Sequence, residues 1–301
     1  MGKLVPRTYV EASALASRTV AVDTANLIYR HLFQIRDSTG SPYRNSDGLV
    51  IGHLIGLCNE VAALCQVRLR PIFVFDGETP ALKDETMRKR SVEAARRGFI
   101  LDETMKQQMK AALDVLGVPW VQAPEEAEAQ AAYMTKRGCW AALTNDFDAL
   151  LFGASRMIIR LSKTGAETCA LPEVLEKLDM DLGQLIDLAL LSGTDYNPGG
   201  VKGLGPKRSL RLLRTFRTIS AVLAQMGLDG EMERTFLRIK RYYLDPPVNP
   251  AWRSSLRRPD PTAAHAYLVR DMKLSEATVG RAIGAIASSL DRGPRQTTLG
   301  R

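Results

Sequence analysis

Three short runs limit what this chain can fold into: "TVAVD" at 19–23, "PIFVFD" at 71–76 and "WAALTND" at 140–146. Each is continuously apolar before its last residues, the pattern of a strand buried on both faces. Helical stretches separate them, around 49–66 between the first two and around 83–97, 102–116 and 125–137 between the second and third. Strands alternating with helices demand right-handed crossovers between parallel neighbours. The expected fold class is therefore α/β, a mostly parallel central sheet flanked by helices. From about residue 181 the pattern turns almost wholly helical ("LGQLIDLALLSG", "PKRSLRLLRTF", "MERTFLRIKRYYL"), broken by "DPPVNP" at 245–250. The expected organisation is an α/β core over 1–180, a mainly helical region over 181–290 built against it, and a tail over 291–301.

Each of the three runs closes on an aspartate: Asp23, Asp76 and Asp146. In open parallel sheets, function gathers in the crevice outside the carboxyl ends of the strands. One aspartate at such a place is about as often the N-cap of the next helix. Capping does not account for the doubled "DFD", where Asp146 and Asp148 are two apart and leave an extended chain on the same face. A second acidic group stands in "VQAPEEAEAQAAYM". With Pro124 starting a helix, Glu125, Glu126 and Glu128 fall in its first turn, where carboxylates suit the dipole. Helical spacing puts Glu125 and Glu128 on one side, so spacing alone leaves open which glutamates face inward. Asp195, in "LLSGTDYNPGG", reads equally as a turn residue.

Carboxylates crowded at one place resist ionisation without counter-charge. An all-oxygen donor set selects a hard cation, Mg²⁺ or Mn²⁺. Two such ions roughly 4 Å apart are the usual clamp for phosphodiester cleavage. The three histidines show no partner pattern, which argues against a histidine-based hydrolase. The four cysteines are scattered without a C-x-x-C pair, which argues against zinc or a disulfide framework and suits a reducing interior. No run of about 18 apolar residues suggests a membrane span, and no secretory leader is expected from "MGKLVPRTYVEAS". The net charge of +8 points weakly to a polyanionic partner.

Taken in order, "AVDTANLIYR", "PIFVFDGETP", "VQAPEEAEAQAAYM", "LTNDFDALLFG", "LLSGTDYNPGGVKGLGPKRSL" and "YYLDPPV" resemble the flap endonuclease group of structure-specific 5′ nucleases, in its archaeal form. The resemblance spans nearly the whole chain. It implies a PIN-like nuclease core, a helical arch near 80–117 and a helix-three-turn-helix that holds duplex DNA. It implies metal carboxylates at Asp23, Asp76, Glu126, Glu128, Asp146, Asp148 and Asp195, with two Mg²⁺ ions as cofactors and Mn²⁺ as a substitute. Setting those seven aside leaves 41 basic residues against 26 acidic ones, a basic body around an acidic pocket.

Further positions follow from the same resemblance. Lys83 and Arg90, in a basic run whose plain reading is a solvated helix face, match two phosphate-activating positions. Only about 28 residues separate Arg90 from Val118, so the arch is about one helical segment shorter than is usual in the family. Gly203, Gly205, Lys207 and Arg208 match contacts to duplex phosphates, and carbonyls near Gly200, Val201 and Gly203 match a K⁺ site. Tyr29 matches an aromatic that stacks near the cut, and reads equally as a half-buried core residue. Arg36 matches a phosphate contact or a surface arginine, and Gly2 a close-packed N-terminal glycine. Glu60 departs from a usually basic position. Gln296 and Leu299 match the start of a sliding-clamp motif that lacks its aromatic pair, which implies weak clamp binding. The partner is expected to be branched DNA, with no membrane, and the protein an intracellular, DNA-associated monomer in the cytoplasm, or the nucleus of a eukaryote. The expected activity is cleavage near a single-strand/duplex junction during replication and repair. A related 5′ exonuclease or junction resolvase, and a non-catalytic DNA binder, are the alternatives.

Overall fold

The computed structural model describes residues 4–83, 101–228 and 230–291. Gly2, Arg90, Gln296 and Leu299 lie outside the described residues, as do residues 84–100 of the expected arch and 292–301 of the tail.

A seven-stranded sheet runs through the first half. Its strands are β1 (Thr8–Glu11), β2 (Thr19–Asp23), β3 (Arg70–Phe75), β4 (Trp120–Gln122), β5 (Ala141–Leu143), β6 (Arg156–Leu161) and β7 (Gly165–Ala170), in the spatial order β1-β7-β6-β5-β2-β3-β4. The pairs β6–β5, β5–β2, β2–β3 and β3–β4 are parallel; β7 and β1 extend the far edge antiparallel. The mostly parallel sheet is as expected. Four of its strands carry no clear signal in the sequence: β1 and β4 are short, β6 is partly exposed, and β7, though mostly buried, is written in small and polar residues, so none offers a continuous apolar run.

Helices α1 (Ala12–Leu15), α2 (Thr24–Gln34), α3 (Gly52–Gln66), α4 (Glu103–Leu116), α5 (Ala127–Thr135), α6 (Asp148–Leu151) and α7 (Leu171–Leu178) belong to this half. The second half follows as α8 (Leu182–Ser192), α9 (Pro206–Phe216), α10 (Ile219–Gln225), α11 (Gly230–Leu244), α12 (Pro261–Ala264), a π-helical turn at His265–Asp271 and α13 (Glu276–Asp291). Two hydrophobic clusters flank the sheet. One joins Ala21, Ile72 and Val74 to Leu188 on α8 and Tyr243 on α11. The other joins Val20, Val22 and Phe73 to α3, α4 and, through Ile286, α13. Each cluster takes residues from both halves of the chain, so the helical half closes both faces of the sheet. Cys58, Cys65, Cys139 and Cys169 are all free and buried.

Local chemistry explains the joints. Gly56 of α3 faces α2 so closely that a Cβ there would lie 2.5 Å from the Cβ of His31. Gly117 ends α4 in the left-handed conformation at φ 70°, which glycine adopts without strain. Asp181 and Gln184 form a capping box at the start of α8.

The segment after β3 is zipped to the segment before α5. The Gly77 amide donates to the Glu125 carbonyl at 2.7 Å, and the Glu78 amide to the Pro124 carbonyl at 2.9 Å. A Cβ on Gly77 would stand 2.1 Å from the Pro124 oxygen and 2.3 Å from that of Ala123. Gly77→Ala is therefore expected to part these segments at a cost of roughly 1–3 kcal/mol. Thermal unfolding should show a drop of several degrees in Tm, and an unchanged Tm would mean that this close approach is not needed.

Candidate metal centre

The order β5-β2-β3-β4 sets one acidic segment beside the next. Asp146 and Asp148 follow β5, Asp23 ends β2, Asp76 follows β3, and Glu126 and Glu128 follow β4. Neighbouring strands are about 4.8 Å apart, so this edge packs its carboxylates within about three strand spacings. Asp76, Glu126 and Glu128 come closest, each offering a carboxylate oxygen within 4.8 Å of the others. Lys83 reaches Glu126 at 2.8 Å.

Four of these carboxylates are tied to the scaffold by hydrogen bonds, Asp23 through both oxygens and Asp76, Asp146 and Asp148 through one each. Asp23 Oδ1 accepts the Asn26 amide at 3.0 Å as the N-cap of α2, while its Oδ2 accepts the Thr144 hydroxyl at 3.0 Å. Asp76 Oδ1 accepts the Ala127 amide at 3.0 Å, capping a helix that belongs to a different strand. Asp146 Oδ1 accepts the Asp148 amide at 2.9 Å. Asp148 Oδ2 accepts the Tyr243 hydroxyl at 2.7 Å. For Asp23, capping and cluster membership are thus both true.

The expectation that Pro124 begins a helix is corrected by the structure. Helix α5 starts at Ala127, and Glu126 is an extended N-cap residue with φ −76° and ψ 130°. Counting helical spacing from Glu125 fails because Glu125 is not helical. Glu126 and Glu128 share the cluster. The Glu125 carboxylate accepts the Tyr242 hydroxyl at 2.6 Å.

Crowding and burial show in the protonation of the cluster. Burial, with Asp76 and Asp146 adding repulsion, lifts Asp23 to about 7. Burial, with Asp146, Asp195 and Glu126, lifts Asp148 to about 7. Burial raises Glu128 well above its ordinary value, and the charges of Asp23, Asp76, Glu126 and Asp146 push the same way. Glu126 and Asp146 are raised chiefly by burial, both opposed by Lys83. Burial pulls the Lys83 ammonium down, but Glu126, Glu128 and Asp195 outweigh it and the net shift is upward. Asp195 itself is exposed, in the loop after α8. Close carboxylate oxygens without nitrogen or sulfur donors among them fit hard divalent cations.

Sequence reasoning missed several residues that hold this edge in place. Gln122 donates to the Asp76 carbonyl at 2.7 Å and accepts from Lys110 at 2.8 Å. Lys110 is buried against the Phe75 and Trp120 rings at 5.3 and 5.2 Å. Tyr243, which donates to Asp148, is the other member, while its neighbour Tyr242 donates to Glu125, outside the close group. The one signal for the tyrosines was an aromatic doublet in a highly charged helix.

The remaining expected positions lie outside the carboxylate edge. Tyr29 is half-buried against the second hydrophobic cluster, its hydroxyl pKa raised by burial and by nearby Asp76. Arg36 donates to the carbonyls of Phe33, Gly40 and Leu32. Glu60 binds His31 at 2.6 Å and lies 3.8 Å from Arg30. Gly200 and Gly203 take positive φ values, 57° and 82°, and a Cβ on Gly200 would lie 2.4 Å from the Gly193 amide. Val201 is buried and its amide donates to the Leu191 carbonyl at 2.9 Å. Gly205 caps α9 without a side-chain acceptor; Pro206 has no amide hydrogen and the Arg208 and Ser209 amides donate to the Gly205 carbonyl at 3.0 Å, which leaves the Lys207 amide to meet an anion. Lys207 and Arg208 are exposed on the first turn, and Arg208 reaches the Gly203 carbonyl at 3.3 Å.

Residues 4–97 match the XPG N-terminal domain and residues 117–195 the XPG I-region. Flap endonuclease 1 of Pyrobaculum arsenaticum is 35% identical over 332 aligned positions, covering 97% of this chain and 96% of that protein. The structure of flap endonuclease-1 from Methanococcus jannaschii superposes with a TM-score of 0.80 at 33% identity, over 95% of this chain and 98% of that one. The catalytic core of Rad2 in complex with DNA substrate shares the fold, with a TM-score of 0.76 at 23% identity over 95% of this chain and 97% of that one.

Asp23 and Asp148 sit at about 7 when folded, against an ordinary 3.8. Between those values the folded chain holds protons that the unfolded chain has released. The resulting stabilisation is complete below about pH 4 and is lost as pH rises through about 7. With metal chelated, Tm is expected to fall between about pH 5 and pH 8. Added Mg²⁺ should then raise Tm more at the higher pH, by roughly 2–4 °C for each kcal/mol of repulsion relieved. A metal-free Tm that climbs across that interval would contradict the repulsion described above.

Proposed function

This chain belongs to the flap endonuclease family, and on that premise we propose that it is a structure-specific 5′ flap endonuclease acting on DNA in replication and repair. The observation that carries this reading is the row of carboxylates at the ends of four adjacent strands, four of them anchored by hydrogen bonds from the scaffold.

Asp23, Asp76, Glu126, Glu128, Asp146, Asp148 and Asp195 would hold divalent cations, Mg²⁺ by preference with Mn²⁺ as substitute, which supply an activated water and neutralise phosphoryl charge. The residues themselves carry the rest. Hydrogen bonds from Asn26, Ala127, Asp148 and Tyr243 fix the carboxylates before substrate arrives, so little reorganisation is left to the reaction. Lys83, held beside Glu126, presents an ammonium to the non-bridging oxygens of the scissile phosphate. Arg90 would serve the same phosphate. Tyr29 offers a ring against which a base near the cut stacks. Water adds to phosphorus as the bond to the 3′ oxygen breaks and that oxygen takes a proton. The products are a 5′-phosphate and a 3′-hydroxyl.

Positioning falls to the second half. The exposed side chains of Lys207 and Arg208, with the Lys207 amide at the start of α9, grip duplex phosphates without reading sequence. Carbonyls of Gly200, Val201 and Gly203 would bind K⁺ there. Arg36 is a weaker candidate for a phosphate contact, since its guanidinium serves local carbonyls. Gln296 and Leu299 offer a sliding clamp only part of a motif. No described helix is long and apolar enough to cross a membrane; we place the protein with DNA inside the cell, as a monomer.

Labelled 5′-flap, nicked, gapped and four-way DNA should be compared with Mg²⁺ present. The flap is expected to be cut fastest; preference for the four-way substrate would move the assignment to a junction resolvase. Asp76→Asn keeps the acceptor for Ala127 but removes a charge, and cleavage should fall by about 10²-fold or more while flap binding persists. Lys207→Gln with Arg208→Gln should weaken binding alike on all sequences and lower the salt slope by about one for each phosphate that is no longer neutralised. An unchanged slope would take both residues off the DNA.

A further inference from the structure

Helix α11 ends in Tyr242 and Tyr243, and the two hydroxyls part ways. Tyr242 binds Glu125, which lies outside the close carboxylate group, at 2.6 Å. Tyr243 binds Asp148 at 2.7 Å. The Tyr243 side chain is fully buried, and its ring is boxed by Phe152 at 4.8 Å and by Tyr196 at 5.3 Å. Phe152 closes the short helix that Asp148 opens, and Tyr196 follows Asp195 directly. The ring therefore cannot turn away without disturbing segments that carry two of the acidic residues.

A carboxylate has two oxygens and is free to rotate unless something holds one of them. The Tyr243 hydroxyl holds Asp148 Oδ2, and Oδ1 receives no hydrogen bond from a described residue. Asp146, two residues earlier, is held through its own Oδ1 by the Asp148 amide. The pair is thus set from two directions, one local and one reaching 95 residues along the chain.

We propose that Tyr243 is a positioning residue for a divalent cation, aiming Asp148 Oδ1 at the ion by holding Oδ2; this rests on the carboxylate reading given above. Partners that orient a metal ligand from behind typically govern affinity by about 10–100-fold. Tyr243 sits on an element that belongs to the helical half, so it also makes cation affinity depend on how that half seats against the sheet edge.

The test uses the full chain without DNA. Mn²⁺ is titrated into wild type and Tyr243→Phe, and free Mn²⁺ is read by electron paramagnetic resonance. Phenylalanine keeps the ring in its box, and thermal unfolding measured alongside verifies that. One class of bound Mn²⁺ is expected to weaken about tenfold. Tyr242→Phe, at the same helix end but facing Glu125, should leave Mn²⁺ binding unchanged. In an Asp148→Asn background, Tyr243→Phe should change nothing further, because the carboxylate it acts on is gone. Unchanged Mn²⁺ affinities in Tyr243→Phe overturn the proposal, as does an equal weakening in Tyr242→Phe or an additive one in the double variant. A wild type that binds Mn²⁺ yet cuts no flap would count against the nuclease reading alone, since this titration reads Asp148 without substrate.

Discussion

Repulsion between carboxylates is the constraint around which this molecule is arranged. Burial first, and repulsion added to it, drives such groups to take up protons, and Asp23 and Asp148 at about 7 show how far the two together take that tendency. The scaffold opposes it with hydrogen bonds to single oxygens, from amides at Asn26, Ala127 and Asp148 and from hydroxyls at Thr144 and Tyr243. Among the described residues, Lys83 supplies a cation beside Glu126. The result is a cluster stored in a state that a hard divalent cation relieves. That is the condition under which such an ion binds tightly and a phosphate can be drawn to it.

The helical half does more than cover the sheet. Its α11 reaches the acidic edge and sorts the glutamates and aspartates by hydrogen bond. Tyr242 takes Glu125, and Tyr243 steadies Asp148. From the other side, Lys110 and Gln122 pin the backbone at Asp76, and the Gly77 zipper brings it against Glu126. Through Tyr243 the helical half adds to a centre whose closest members, Asp76, Glu126 and Glu128, all come from the α/β half. The same half presents α9, whose basic first turn suits duplex phosphates. The first turn of α9 and the acidic edge thereby belong to elements packed on one hydrophobic cluster.

Much of this is legible in the sequence. The runs at 19–23, 71–76 and 140–146 became β2, β3 and β5, because strands buried on both faces leave an unbroken apolar signature. The strands β1, β4 and β6 left none, being short or partly exposed, and β7 left none because its buried residues are small or polar. The glutamate ambiguity arose from assuming helix at Pro124. The chain stays extended through Glu126 because its carbonyls at Pro124 and Glu125 are already used by Gly77 and Glu78.

The order of residues along the chain, then, determined the parallel sheet, the acidic strand ends and the family, since each is written in local pattern and spacing. Which carboxylates share a cluster, which oxygen of each is held, and that a tyrosine from α11 stands behind Asp148 were decided only by the tertiary structure. The physical reason is that a carboxylate's role depends on what faces each of its two oxygens. Those partners come from strands and helices that the sequence separates and only folding brings together.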